Sequence, residues 1–152
     1  MLTIAPAGAD VSAVQTMWKE YWQEFGLAGH FQGFDEECRR LPGAYGPPGG
    51  ALAIALMDGA PAGTVALRPL RDRACEVKRL YVRPPFRGRG IGPALIEWAI
   101  EHAKALGYAT MHGDTLPAMA EALRMYARLG FRVVGPYTGD PTPGAIYLEL
   151  TL

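Results

Sequence analysis

Between Val82 and Gly92 the chain reads Val82-Arg83-Pro84-Pro85-Phe86-Arg87-Gly88-Arg89-Gly90-Ile91-Gly92, a strand exit, two prolines, then glycines alternating with Arg89 and Ile91. Residue types in that order suit the capture of an anion. Glycine lets backbone approach a ligand closely and adopt conformations closed to other residues. A helix beginning at the end of such a loop offers free N–H groups and the positive end of its dipole. Arg87 and Arg89 add charge beside that point. Two familiar phosphate loops are excluded by spacing. The Gly-x-x-x-x-Gly-Lys-Ser/Thr run is missing, and in Gly-x-Gly-x-x-Gly the third glycine position holds Pro93. A glycine turn made for packing alone is the competing reading of these residues.

The surrounding pattern supplies the elements that would hold the loop. A short strand at Leu2–Ile4 precedes a helix capped by Asp10 and running to about Phe25, and a second helix begins at Asp35 and stops before Leu41-Pro42-Gly43. Ala51–Met57 and Gly63–Leu67 read as strands joined by an Asp58-Gly59 turn, and Ala74–Val82 as a third. The period then changes. Ile91, Leu95, Trp98, His102 and Leu106 recur at helical steps, with Pro93 in the first turn and Gly107 at the end. Tyr108–His112 reads as a strand, Pro117 to Gly130 as a helix, and Phe131–Tyr137 and Ala145–Leu150 as two more strands. This order is an α/β chain with a mixed sheet and one parallel crossover near Val82–Met111.

Bulk properties set limits. At 152 residues, 49% hydrophobic and 20% charged, the chain fits one globular domain spanning 1–152. Fifteen basic residues balance fifteen acidic ones, which argues against a nucleic-acid partner. Cys38 and Cys75 lie in no metal-type spacing, and neither do His30, His102 and His112, so no metal is expected. No apolar run approaches the ~20 residues of a membrane span, and the first residues lack the features of a leader. A cytoplasmic protein with reduced cysteines is the expectation. Eight of the fifteen basic residues fall between Arg68 and Arg89, while Asp10 to Glu37 holds six acids against Lys19. The acid-rich stretch reads as suited to a cationic amine, unless both segments are simply solvated.

Three motifs together carry a resemblance. Arg87-x-x-Gly90-x-Gly92, preceded by Glu76-Val77-Lys78-Arg79-Leu80-Tyr81-Val82, resembles the coenzyme A motif of the GNAT superfamily of N-acetyltransferases. Asp114-Thr115 and Met125-Tyr126-Ala127-Arg128-Leu129-Gly130-Phe131 continue the likeness, with Met125 where the family has Leu. The resemblance covers Leu2 to about Leu150. It implies a single GNAT-like domain with a mostly antiparallel sheet flanked by helices, and an acetyl-CoA cleft beside the fourth strand. It implies that the backbone of Leu80, Tyr81 and Val82 pairs with the pantetheine arm as an added strand would. The N–H groups of Arg87, Gly88, Arg89, Gly90, Ile91 and Gly92 would hold the pyrophosphate, with Pro93 offering none.

Acetyl transfer from a thioester to an amine needs a base for the amine, donors for the oxyanion and an acid for the thiolate. Tyr126 shares a helical face with Met119 and Leu123 and matches the family's acid; a packed tyrosine is the alternative. Glu76, on the strand leading to the loop, is the candidate base acting through water, and alternation sets it on one face with Lys78, Leu80 and Val82. Its alternative is a strand carboxylate paired with Lys78 or Arg79. Asp114 is the second candidate base, or a helix cap. Trp18, Tyr21, Trp22 and Phe25 have the spacing of core residues, in a region that walls the acceptor side in the family. A primary-amine acceptor and a second copy of the chain complete the expected partners, with a non-catalytic acyl-CoA-binding sensor or assembly module as the rival function.

Overall fold

The computed structural model describes residues 1–29, 31–139 and 141–152. His30, one of the three histidines considered above, therefore lies outside the described residues. The elements are β1 (Leu2–Pro6), α1 (Val11–Glu24), α2 (Phe34–Arg39), β2 (Ala51–Met57), β3 (Ala60–Arg71), β4 (Ala74–Val82), α3 (Ile91–Ala105), β5 (Thr110–Thr115), α4 (Ala120–Arg128), β6 (Arg132–Val134) and β7 (Ile146–Thr151). They form one seven-stranded sheet in the order β1-β2-β3-β4-β5-β7-β6. Every pairing is antiparallel except β4 with β5, which α3 connects. A parallel pair needs such a crossover, because its second strand must start again from the same end.

Both sheet faces are covered. On one, Leu95, Ile96 and Ala99 of α3 and Met125 and Tyr126 of α4 pack on Val65, Leu67, Cys75, Val77 and Met111. On the other, Val14, Met17, Trp18 and Trp22 of α1 and Phe34 of α2 pack on Leu52, Ile54, Ala66 and Tyr81. Strands covered on both sides lose polar alternation, which is why Ala51 to Ala55 are all buried. Among the described residues no helix is long and apolar enough to cross a membrane.

Several boundaries differ from the sequence reading, mostly at prolines. β3 runs through Pro61 and Pro69, and register irregularities occur where those residues sit. Proline cannot donate to the ladder, so the strand accommodates it by a local shift rather than ending. Residues 131–137 give only Arg132–Val134 before Gly135-Pro136 stops pairing. Pro117 lies in a turn ahead of α4, not in its first turn. The buried stripe of α3 is Ile91, Leu95, Ile96, Ala99 and Ala103; Leu106 is exposed, and Trp98 stacks on His102 beside it. Alanines on the buried stripe let the helix approach the sheet closely.

His112 on β5 bears on acid stability. It is 3% exposed, with Nε2 3.8 Å from Glu149 and 3.3 Å from the Thr110 hydroxyl, its ring against Tyr137, and Nδ1 without a partner. Burial holds its pKa below the usual imidazole value, against the pull of Glu149 and Glu76 and with a smaller push from Arg71. The folded chain thus keeps His112 neutral where the unfolded chain begins to bind a proton. Stability from this group is present above about pH 6.5 and falls as pH drops below it. Urea midpoints at about pH 7.5 and 5.5 should therefore differ, and His112→Gln should shrink the difference. An unchanged difference would assign the pH effect to other groups.

Candidate active site

The parallel ladder between β4 and β5 is short. It joins Ala74 to Thr110, Cys75 to Met111 and Glu76 to His112, and ends there. Beyond Glu76, β4 keeps β3 on one side, and its other edge has no strand partner among the described residues; beyond His112, β5 stays with β7. The strands part, and a cleft of about 840 Å³ opens between Val77–Val82 and Asp114–Thr115. Such a volume lies in the upper part of the range of small-molecule and cofactor sites. One wall holds Tyr21 and Trp22 of α1 and Phe25 just after it, with Phe31 and Gln32; the other holds the N-terminus of α3 and the inner face of α4. Tyr21, Trp22 and Phe25, which spacing assigned to the core, thus also face the cleft, while Trp18 is fully buried.

A bulge in β4 decides which side chains enter. Ala66 pairs with Lys78 and Thr64 with Tyr81, so Arg79 and Leu80 together oppose Val65. Arg79 takes a left-handed φ of 59°. The extra residue reverses the strand's facing. Leu80 and Val82 pack with Val77 on the α3 side, while Tyr81 joins the α1 core. Glu76, Lys78, Leu80 and Val82 therefore do not share a face, because simple alternation fails at the bulge.

The glycine loop is built as its residue types suggested. Gly88 and Gly90 have φ of 79° and 77°, and Gly90 is the N-cap of α3. The first backbone bond of the helix runs from the Ala94 N–H to the Gly90 carbonyl, leaving the amides of Gly88, Arg89, Gly90, Ile91 and Gly92 without backbone acceptors. The Arg87 amide is spent on the Pro84 carbonyl at 3.2 Å. Of the six amides expected at the anion, five are free. The two arginines also differ from expectation. Arg87 reaches the cleft, yet its guanidinium donates to the Val82 carbonyl and to Glu24, both at 2.8 Å. The Arg89 guanidinium sits over the Phe86 ring at 5.9 Å, and Arg89 does not line the cleft. Arg124 and Arg128 of α4, one turn apart and exposed, do line it. Sequence reading passed over them, although their four-residue spacing on the Tyr126 helix was visible.

Deep in the cleft stand Tyr126, Tyr21 and Asp114. Tyr126 is buried against the edge of Phe131, ring centroids 5.1 Å apart, and its hydroxyl has no hydrogen-bond partner among the described residues. Burial raises its pKa well above that of a free phenol, with Tyr21 and Asp114 adding to the effect. Tyr21, stacked on Tyr81, points its hydroxyl at the Met119 sulfur, and burial pushes its pKa up to about 12. The Asp114 carboxylate accepts from Gln32 Nε2 at 3.1 Å.

Glu76 is not in this group. It is 4% exposed, accepts from Arg68 Nε at 2.8 Å and the Tyr137 hydroxyl at 2.7 Å, and does not line the cleft. Burial opposes its ionisation, but Lys78, Arg68 and the Tyr137 hydroxyl together hold its carboxyl below the usual range. In this arrangement the Glu76 carboxylate is held by its ion-pair and hydrogen-bond partners and does not reach the cleft. Four of the six acids between Asp10 and Glu37 are similarly committed: Glu20 to Arg83, Glu24 to Arg87, Glu37 to both Arg68 and Arg79, and Glu36 to Arg40. Much of the acid-rich stretch is thus neutralised by arginines of β3, β4 and the segment after β4, which weakens the case for a cation-binding surface there.

Comparison with known proteins agrees with this architecture. Residues 14–131 match the model of the acetyltransferase (GNAT) family. An uncharacterised N-acetyltransferase of Schizosaccharomyces pombe is 37% identical over 145 residues, covering 94% of this chain and 89% of the relative. Human N-acetylaspartate synthetase is 34% identical over 99 residues, 64% of this chain and 33% of that protein. A phosphinothricin acetyltransferase from Sinorhizobium meliloti, solved with acetyl-CoA, superposes with a TM-score of 0.78 at 20% identity, over 99% of this chain and 88% of that one. A sheet that opens between its parallel pair of strands, a glycine loop with free amides at the opening, and a family match across all three motifs agree: this chain is a member of the acetyltransferase (GNAT) family, an acyltransferase that uses acetyl-CoA.

Proposed function

We propose that the chain transfers the acetyl group of acetyl-CoA directly to a primary amine, with Tyr126 and Asp114 beside the reacting atoms. The observation that carries this is the parting of β4 and β5, which brings together in one cleft a strand edge with no strand partner, and backbone amides and a phenol with no hydrogen-bond partner, among the described residues. The free edge of Leu80, Tyr81 and Val82 can pair with the amides of the pantetheine arm. The amides of Gly88 through Gly92 suit the pyrophosphate, and Arg124 and Arg128 supply nearby positive charge.

The amine nitrogen attacks the thioester carbon, the C–S bond breaks, and one proton must pass from the amine to the departing sulfur. Asp114 replaces Glu76 as the residue that receives the amine proton, directly or through water. Backbone at the bulge, out of register with β3, offers donors for the carbonyl oxygen. Tyr126 stays protonated because burial raises its pKa, so it meets the nascent thiolate as a hydrogen-bond donor and then as the proton source, and it regains a proton, by way of water, from the one the amine gave to Asp114. The name of the human relative, a synthetase of N-acetylaspartate, supports a small-molecule amine as acceptor.

The test is a panel of amines with acetyl-CoA, read as release of free coenzyme A thiol. Thiol released with an amine above the rate without one supports the reading; acetyl-CoA binding with no amine-dependent release would make the chain a sensor instead. Gly92 offers a second check. A Cβ there would meet only Met125 Sδ at 3.5 Å and Val82 Cγ2 at 3.9 Å, both ordinary contacts, and the helix φ suits any residue. Gly92→Val should therefore fold, while its methyl groups occupy the opening beside the amides. Calorimetry should show acetyl-CoA affinity reduced by tenfold or more, about 1.4 kcal/mol. Unchanged affinity in the folded variant would move the phosphate site elsewhere.

A further inference from the structure

Lys78 is a partly buried cation in the cleft that has no ion-pair partner among the described residues. It stands on β4 one residue before the bulge, partly buried, and lines the opening between β4 and β5. No carboxylate among the described residues lies within 4 Å of its ammonium. The fold pairs its neighbours instead. Glu76 is taken by Arg68, Glu37 by Arg68 and Arg79, and Asp114, across the opening, by Gln32. Arg79, the next residue, lines the same cleft and adds a second positive charge held fixed by Glu37 and Gln32. Burial first, and Arg79 next, hold the Lys78 pKa below the ordinary lysine value, while Glu76 and Asp114 pull the other way. A cation kept partly out of water without a partner is unfavourable in the empty cleft. An arriving anion would relieve that.

Its position selects the kind of anion. Val77, Leu80 and Val82 face α3, whose amides serve the phosphates; Lys78 alternates with Val77 and so faces the α1 side, where Tyr21, Trp22 and Gln32 stand. That wall is the side left for the acceptor. Opposite Lys78 across the opening is Asp114, so the cleft presents a cation on one strand and an anion on the other. We propose that Lys78 binds a carboxylate of the acceptor, making the acceptor an amine that also carries a carboxylate, of the amino-acid class. Its ammonium end then lies toward Asp114, which is where the proton must be lost. The proposal rests on the acetyltransferase reading above and reverses the cationic acceptor that the acid-rich first quarter suggested.

The experiment compares amino acids with their own carboxamides and with the amines that lack the carboxyl group, using acetyl-CoA and free-thiol detection. The free carboxylate should raise kcat/KM by roughly 10- to 100-fold over the carboxamide, the range of a charge-assisted contact. Lys78→Met should erase that preference, chiefly through KM, and Lys78→Arg should restore part of it. Acetyl-CoA affinity by calorimetry and thermal midpoint should hardly change in either variant. A second measurement needs no turnover. With coenzyme A bound, succinate should change the tryptophan fluorescence saturably through Trp22, succinamide should not, and Lys78→Met should abolish the succinate response. Carboxamides used as well as carboxylates, or succinate binding unaltered in Lys78→Met, would overturn the proposal while leaving acetyl transfer standing. Failure of the underlying reading looks different: acetyl-CoA itself would not bind, and this proposal would fall with it.

Discussion

Replacing Tyr126 with phenylalanine is expected to slow turnover by roughly 100-fold while leaving the fold and acetyl-CoA affinity in place, the usual effect of losing a general acid. The structure makes this a clean substitution. The hydroxyl has no hydrogen-bond partner among the described residues, so its removal strands no other buried group. The ring that remains keeps its edge contact with Phe131 and its place beside Met125 in the core. Its raised pKa adds a second readout. A phenol that stays protonated gives no alkaline limb below about pH 10, so parent and variant should share the shape of their pH–rate profiles and differ in height. Stopped-flow thiol detection with saturating acetyl-CoA would measure both. A variant of parental rate would leave Tyr126 as packing and the thiolate to solvent.

Arg79 carries the largest expected effect on stability. Its side chain is 3% exposed and its guanidinium donates to Glu37 at 2.8 Å and to the Gln32 side chain at 2.9 Å, while lying 4.5 Å over the Trp22 ring. Removing one partner of a buried pair strands the other, so Arg79→Met should cost about 3–5 kcal/mol. For a domain of this size that is a loss of roughly 10 °C in thermal midpoint. Glu37 retains Arg68, so the combined variant Arg79→Met with Glu37→Gln should lose less than the sum of the single losses. Calorimetric melting of the three variants checks both statements, and additive losses would mean that the pair is not coupled.

The element order and the loop were legible because their signals are local. Glycines at alternate positions, proline in the first turn of α3 and the change of period after Val82 each act within a few residues. Fine placement was less legible because it depends on partners far along the chain. Nothing near Glu76 reveals that Tyr137, 61 residues on, will donate to its carboxylate, or that Arg68 will claim its other oxygen. The acids of α1 and α2 looked like a surface for a cation until their arginine partners on β3, β4 and the glycine loop were seen opposite them. Lys78 was read as one of a basic cluster and as a partner for Glu76, on one face with Leu80 and Val82, because alternation hides a bulge. Arg79 at that bulge is neither glycine nor asparagine, the residues that usually announce a left-handed turn.

The bulge also gives the chain an unusual sensitivity to length. From Ala74 to Lys78 one set of side chains looks toward α3; from Leu80 onward the opposite parity does, and a single residue separates the two phases. Substitutions on either side can be absorbed by repacking, but loss of one residue here would turn Tyr81 toward α3 and Leu80 and Val82 toward α1. The neighbouring segment differs: the Asp58-Gly59 turn between β2 and β3 is exposed and joins strands whose facing it does not set for the cleft. For aligning or redesigning this chain, the number of residues between Lys78 and Tyr81 therefore matters more than their identities.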